Sequence, residues 1–96
     1  MMDDLTAFQR DILYVVSGMG SPKGLAIKRK LGSDYQKEIN HGRLYPNLDE
    51  LVEKGLLNKG SKDRRTNEYN ITARGQREIK ARRKWEDDVI DPTVVA

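Results

Sequence analysis

Apolar side chains recur every three or four residues in the first half of the chain, the spacing typical of amphipathic helices. Thr6 and Gln9 form a capping box, which predicts a helix beginning there. Gly18 and Gly20 are predicted to end it. The apolar stripe of this first helix is Phe8, Ile12, Val15, Val16 and Met19.

Two more helices are predicted before Gly55. Ser21-Pro22 indicates an N-cap followed by a proline in the first turn, and Gly32 is expected to stop this second helix. Its apolar residues are Leu25, Ile27 and Leu31. Asn40 is a good N-cap for a third helix running to Lys54. Its buried face is expected to contain Leu44, Leu48, Leu51 and Val52.

The apolar period then changes to two, which indicates strands. Leu57 and Lys59 alternate in one short segment, Tyr69 and Ile71 in another, and a polar, basic stretch separates them. These features predict an antiparallel hairpin with a positively charged tip. Thr72 caps a fourth helix that is expected to run to about Asp88, followed by a frayed tail, Asp91 to Ala96.

The predicted fold class is therefore mainly α with a small β-hairpin. Residues 1–96 are expected to form one winged helix-turn-helix domain of three helices, a two-stranded wing and a C-terminal dimerisation helix.

Composition and charge reduce the number of functions that this chain is expected to have. The 18 Lys and Arg exceed the 15 Asp and Glu, giving a formal net charge of +3, and the bases are clustered along the chain. Such clusters favour a polyanionic partner, although a solvated face produces the same pattern. There is no cysteine and one histidine, so we expect no disulfide, no metal and no cofactor.

The same sequence argues against enzymes and membrane proteins. No nucleophile is paired with an evident base, so we do not expect catalysis. No apolar run is long enough to span a bilayer, and the N-terminus lacks the basic region of a signal peptide. We therefore expect a cytoplasmic protein with no membrane partner.

Two motifs resemble those of one known family. The run His41 to Leu51, which contains Gly-Arg-Leu-Tyr-Pro-Asn-Leu, is followed by Gly55-Leu56-Leu57, and Glu68 to Gly75 reads Glu-Tyr-Asn-Ile-Thr-Ala-Arg-Gly. Both blocks resemble the recognition helix and the post-wing segment of PadR-like transcriptional regulators. The resemblance implies a homodimeric repressor or activator that binds double-stranded DNA at a roughly palindromic operator. The chain has one C-terminal helix, as in a short form of the family, and a small-molecule effector stays an open question.

Candidate DNA contacts follow from the chemistry of the third helix. Arg bonds guanine bidentately and Asn bonds adenine in the same way, so a polar N-terminal half suits base reading. Gly42 permits a close approach of the phosphate backbone, Tyr45 is either a phosphate donor or a half-buried core residue, and Asn40 is also the predicted cap. The set expected on this helix is Asn40, His41, Gly42, Arg43, Tyr45 and Asn47.

Further bases are expected to contact phosphates. Lys28 is a candidate on the second helix, and Lys62, Arg64 and Arg65 at the wing tip suit phosphates or the minor groove. A soluble charged loop is the alternative for the wing.

The fourth helix is expected to join two subunits. Trp85 is the only tryptophan, and it shares a helical face with Ala81 and Val89. An aromatic residue near the end of a terminal helix belongs either to the core or to an interface, and we favour the interface. These three, with Phe8 of the first helix, form the predicted dimer interface. We therefore expect a sequence-specific, homodimeric regulator that acts as a repressor. The alternative is a winged-helix protein-interaction module whose basic faces only keep it soluble.

Overall fold

The structure is a computed structural model that describes residues 1–61 and 67–96. The first helix, α1, spans Ala7–Met19 and begins with the predicted capping box. The backbone N–H of Gln9 donates to Thr6 Oγ1 over 3.1 Å, and Gln9 Oε1 accepts from the backbone N–H of Thr6 over 3.2 Å. The helix ends at Gly20, whose φ of 83° is readily adopted by glycine.

The second helix, α2, spans Gly24–Tyr35, and both predicted ends are wrong. The backbone carbonyl of Pro22 accepts from the N–H of Tyr69 over 2.9 Å, so the segment before α2 lies extended along the hairpin. Lys23 is consequently the N-cap and makes no side-chain capping bond. Gly32 lies inside the helix, which continues to Tyr35 and ends where Gln36 adopts a left-handed conformation with φ 57°.

The third helix, α3, spans His41–Glu53, close to its predicted bounds. Leu44, Leu48 and Leu51 are buried as predicted, and Pro46 lies on the exposed side. The segment 36–40 joins α2 to α3, so the two helices form the helix-turn-helix. Ile39 within this connection is 3% exposed and anchors it to the core.

The hairpin and the last helix follow in the predicted order. Strand β1 (Leu57–Ser61) pairs antiparallel with β2 (Asn67–Ile71), with Leu57 opposite Ile71. The last helix, α4, spans Ala73–Val89 and is capped by Thr72, whose Oγ1 accepts from the N–H of Gly75 over 2.9 Å. The predicted class, mainly helical with a two-stranded wing, is confirmed.

One core joins the helices to the base of the wing. It is formed by side chains of the N-terminal segment, α1, α2, α3, their connections and both strands: Met2, Leu5, Phe8, Ile12, Leu13, Val16, Ile27, Leu31, Ile39, Leu44, Leu48, Leu51, Leu56, Leu57 and Tyr69. Leu25 and Met19, which were expected on apolar stripes, are instead 49% and 38% exposed. The helix-turn-helix and the start of the wing are therefore held as one unit.

Candidate nucleic-acid interface

The N-terminal end of α3 is exposed, polar and fixed by its cap. Asn40 Oδ1 accepts from the backbone N–H of Gly42 over 2.7 Å, so the predicted cap is present. Its amide nitrogen is not used by this bond. A surface depression beside it is lined by Lys28, Glu38, Ile39, Asn40 and His41. The structure thus brings Lys28 together with the first residues of α3, although they are far apart in sequence.

Tyr45 lies across the start of α2. A Cβ atom built on Gly24 would be 2.6 Å from the hydroxyl oxygen of Tyr45, so only glycine fits at this position without moving the tyrosine. The rings of His41 and Tyr45 pack with their centroids 4.2 Å apart. Tyr45 is half-buried, and its hydroxyl stands beside the N-terminus of α2, where helix dipole and free N–H groups favour anions. Gly24 was missed by sequence reasoning, because nothing local marks it.

Arg43 lies on the opposite flank of α3, against α1. Its guanidinium carbon is 3.9 Å from the centroid of the Phe8 ring, which is within the range of a cation–π contact. The arginine side chain is exposed, so its donors remain open to solvent. This stacking limits the conformations of the guanidinium at the edge of the recognition helix.

Phe8 is the first correction to the predicted dimer interface. Its side chain is 5% exposed and belongs to the core, with Arg43 over one face of the ring. The apolar face of α1 points into its own subunit at this position. Phe8 is therefore unavailable to a second chain.

Asn47, a predicted DNA contact, has both of its amide atoms engaged within the protein. Its Nδ2 donates to the backbone carbonyl of Arg43 over 2.7 Å, and its Oδ1 accepts from Gln9 Nε2 over 3.0 Å. The same Gln9 nitrogen donates to Glu50 Oε2 over 2.7 Å. Bidentate reading of adenine uses the same two atoms, so it draws on the second amide hydrogen and the second lone pair. The structure instead uses Asn47 to connect α3 to α1.

The base of the wing is attached to both helices of the helix-turn-helix. Lys23 forms an isolated bridge with Glu68 of β2, and Lys59 Nζ is 3.6 Å from Asp49 Oδ1 of α3. Tyr69 is 1% exposed, and burial raises the pKa of its phenol above the usual 10. The predicted wing-tip contacts Lys62, Arg64 and Arg65 lie outside the described residues.

The C-terminal half of α4 extends beyond the core. Trp85 and Val89 are 39% and 57% exposed, Ala81 is also exposed, and Arg82 stacks on the Trp85 ring at 4.5 Å. A groove beside this helix is lined by residues of α4 and by Ser17 of α1. Burial raises the pKa of Tyr14 at the junction of α1 with α4, and the nearby Glu86 adds to that shift.

The sequence model described as "Transcriptional regulator PadR-like family" matches residues 12–81. The chain belongs to the PadR-like family. It is a winged-helix transcriptional regulator, and the two sequence motifs discussed above lie within the matched range. None of the curated proteins searched is similar enough to count as a match.

Solved structures of RosR are similar to this PadR-like chain. RosR of H. salinarum, grown from NaBr, is 49% identical with a TM-score of 0.86, over 95% of this chain and 84% of that one. The complex structure hsRosR-S1 is 50% identical with a TM-score of 0.85, over 94% and 81%. The complex structure hsRosR-SG is 50% identical with a TM-score of 0.86, over 93% and 80%.

Within residues 1–61 and 67–96, no three His, Cys, Asp or Glu side chains group closely enough to hold a metal ion. None of the helices in this part of the chain is long and apolar enough to cross a membrane.

Proposed function

We propose that this PadR-like regulator is a sequence-specific repressor that binds a palindromic operator in double-stranded DNA as a homodimer. The observation that carries the proposal is the capped, exposed polar end of α3, mounted on a helix-turn-helix whose opposite face is fully buried. A recognition helix needs this combination of a rigid apolar side and an accessible N-terminal half. A regulator that binds DNA acts where the chromosome is, which supports a cytoplasmic location.

The direct test is selection of bound sequences from a random DNA pool, followed by titration of the selected and a scrambled duplex. We expect a palindromic consensus and specific binding at least a thousandfold tighter than scrambled, in the usual range for such proteins. In a promoter–reporter assay, placing the consensus over the promoter should lower transcription. No affinity for any duplex at low salt would instead favour a protein-interaction module.

Arg43 is the proposed base-reading residue, with His41 and Gly42 beside it. Arg43→Lys keeps the charge but removes the planar fork that bonds guanine bidentately. We expect binding to the consensus to weaken by about 1–3 kcal/mol while binding to the scrambled duplex stays the same. Equal weakening on both duplexes would show that Arg43 contacts phosphates only.

Lys28, Tyr45 and the amide of Asn40 are the proposed phosphate contacts on the helices, and Lys62, Arg64 and Arg65 those on the wing. Replacing Arg64 and Arg65 by Ala should weaken binding to every sequence and reduce the slope of log K against log salt by about 2 per subunit, or about 4 for the homodimer.

A control variant removes positive charge at a different place. Lys54→Ala removes a positive charge that lies outside both the proposed DNA interface and the exposed part of α4, and it should leave the slope nearly unchanged. An unchanged slope in the wing variant would overturn the wing assignment.

Homodimerisation is proposed through the exposed part of α4. The helix is basic from Arg74 to Lys84 and acidic from Glu86 to Asp88, so antiparallel pairing of two copies brings opposite charges together. Trp85, Val89 and Ala81 supply apolar contacts along the same helix.

Sedimentation can test this dimer surface. Trp85→Ala with Val89→Ala should raise the dimer dissociation constant at least about tenfold, because one buried aromatic anchor alone is worth more than 1.4 kcal/mol. Leu25→Ala is a control, since that leucine is 49% exposed on a different helix. A double variant that dimerises as the wild type does would reject this surface.

A further inference from the structure

Gln9 is a buried polar residue whose hydrogen bonds reach beyond its own helix. Its side chain is 4% exposed, and both polar atoms are used. Oε1 completes the capping box of α1 by accepting from the N–H of Thr6. Nε2 donates to Asn47 Oδ1 over 3.0 Å and to Glu50 Oε2 over 2.7 Å, across 38 and 41 residues of sequence.

The bonds from Gln9 continue to the backbone at the reading end of α3. Asn47 Nδ2 donates over 2.7 Å to the carbonyl of Arg43, the residue that follows Gly42. A continuous set of hydrogen bonds therefore runs from the first turn of α1 to the first turn of α3. Arg43 also stacks on Phe8, so the same two helix ends meet through an aromatic contact.

This network is suited to fix how α3 is rotated and placed relative to α1. The apolar contacts of Leu44, Leu48 and Leu51 fill the core but are non-directional, and they permit small rotations of the helix. Hydrogen bonds weaken steeply when their geometry is lost, and a satisfied buried polar network selects one arrangement. A shift near 1 Å is enough to spoil a bidentate contact at the far end of the helix.

We propose that Gln9 is a positioning residue for the recognition helix, so that discrimination between DNA sequences depends on a side chain that contacts no DNA. The proposal rests on the function proposed above. Asn47 and Glu50 are the two residues of α3 that accept hydrogen bonds from Gln9. Helix α1, which carries Gln9, also packs against α4.

The test compares two variants that each break one half of the capping box. Gln9→Met has nearly the same length and removes every side-chain hydrogen bond of Gln9, whereas Thr6→Ala leaves the bonds of Gln9 to α3 intact. The measured quantity is the ratio of affinities for the selected duplex and for one with a single substituted base pair. Measurements are made well below the melting temperature of both variants. We expect the ratio to fall about tenfold in Gln9→Met and to stay within about twofold of wild type in Thr6→Ala.

A charge swap provides a rescue that a purely structural role would not give. Gln9→Glu keeps the acceptor for Thr6 but places a carboxylate beside Glu50, so the ratio should fall about tenfold or more. Adding Glu50→Gln restores the donor–acceptor pair between positions 9 and 50 and the wild-type net charge, but the bond to Asn47 Oδ1 stays lost because a carboxylate cannot donate. The swapped pair should therefore recover part of the ratio, to a value clearly above that of Gln9→Glu alone.

The outcomes separate this proposal from the one on which it rests. If the wild type itself shows no preference between the two duplexes, the proposed function fails. If the wild type discriminates, two results overturn the positioning role. One is a Gln9→Met ratio within twofold of wild type, and the other is a swapped pair no better than Gln9→Glu alone.

Discussion

The hydroxyl of Thr72 makes two hydrogen bonds, one to the residue after α3 and one to the first turn of α4. The loss of stability expected when the hydroxyl is removed follows from these two bonds. Oγ1 donates to the carbonyl of Gly55 over 2.7 Å and accepts from the N–H of Gly75 over 2.9 Å. The first bond attaches the start of α4 to the chain that follows α3, and the second caps α4. Thr72→Val keeps the shape of the side chain and removes only this hydroxyl.

Loss of the cap costs about 1 kcal/mol, and loss of a bond to a partly buried carbonyl costs about another 1 kcal/mol. We therefore expect Thr72→Val to lower the free energy of unfolding by about 2 kcal/mol. At about 4–8 °C per kcal/mol for a domain of this size, the melting temperature should fall by roughly 8–16 °C.

Urea denaturation followed by far-ultraviolet circular dichroism measures this change. All variants are compared at one protein concentration, because dimer dissociation otherwise contributes to the apparent stability. Thr72→Ser keeps the hydroxyl, and Thr93→Val removes one from the exposed tail, so both controls should stay within about 0.5 kcal/mol of wild type. A Thr72→Val protein as stable as Thr72→Ser would refute this reasoning.

Three further predictions follow from close contacts and from one phenol. Gly24→Ala should weaken DNA binding several-fold with little loss of stability, because its Cβ displaces only the hydroxyl end of Tyr45; unchanged affinity in a fluorescence anisotropy titration would contradict it. Gly75→Ala should destabilise the fold by several kcal/mol in the same urea assay, since its Cβ would stand 2.5 Å from a backbone oxygen. Tyr35 donates to Asp11, and burial together with this bond raises the pKa of Tyr35 to about 12, above its usual 10. The stabilisation is thus present below pH 10 and is lost as the pH rises from 10 to 12, so Tyr35→Phe should show a shallower loss of urea resistance over that interval.

Local signals explain why most of the helices and strands were predictable. The capping box at Thr6, the cap at Asn40 and the cap at Thr72 act within one turn of chain, and each starts a helix where predicted. The predicted start of the second helix was wrong because residues just before it form a hydrogen bond with a strand that is distant in sequence. The backbone N–H of Tyr69 in β2 donates a hydrogen bond to the carbonyl of Pro22, and α2 therefore begins only at Gly24.

The candidate interface was predicted in its residue types but not in their arrangement. His41, Gly42 and Arg43 are exposed at the start of α3 as base reading requires. Asn47 has suitable chemistry for adenine, yet its amide is already bonded to α1 and to its own helix. Phe8 fits an apolar interface by type, but its ring lies in the core.

The order of elements, the recognition helix, the hairpin and the family could all be predicted from the sequence, because periodicity, caps and motif spacing are properties of neighbouring residues. Which polar side chains remain free for a partner depends on how the helices pack. Gln9, Asn47 and Glu50 satisfy one another across about 40 residues of chain, and Gly24 is required by a tyrosine on another helix. Such pairings depend on how the helices pack in space. They join residues that are distant in sequence, so the local sequence pattern does not predict them.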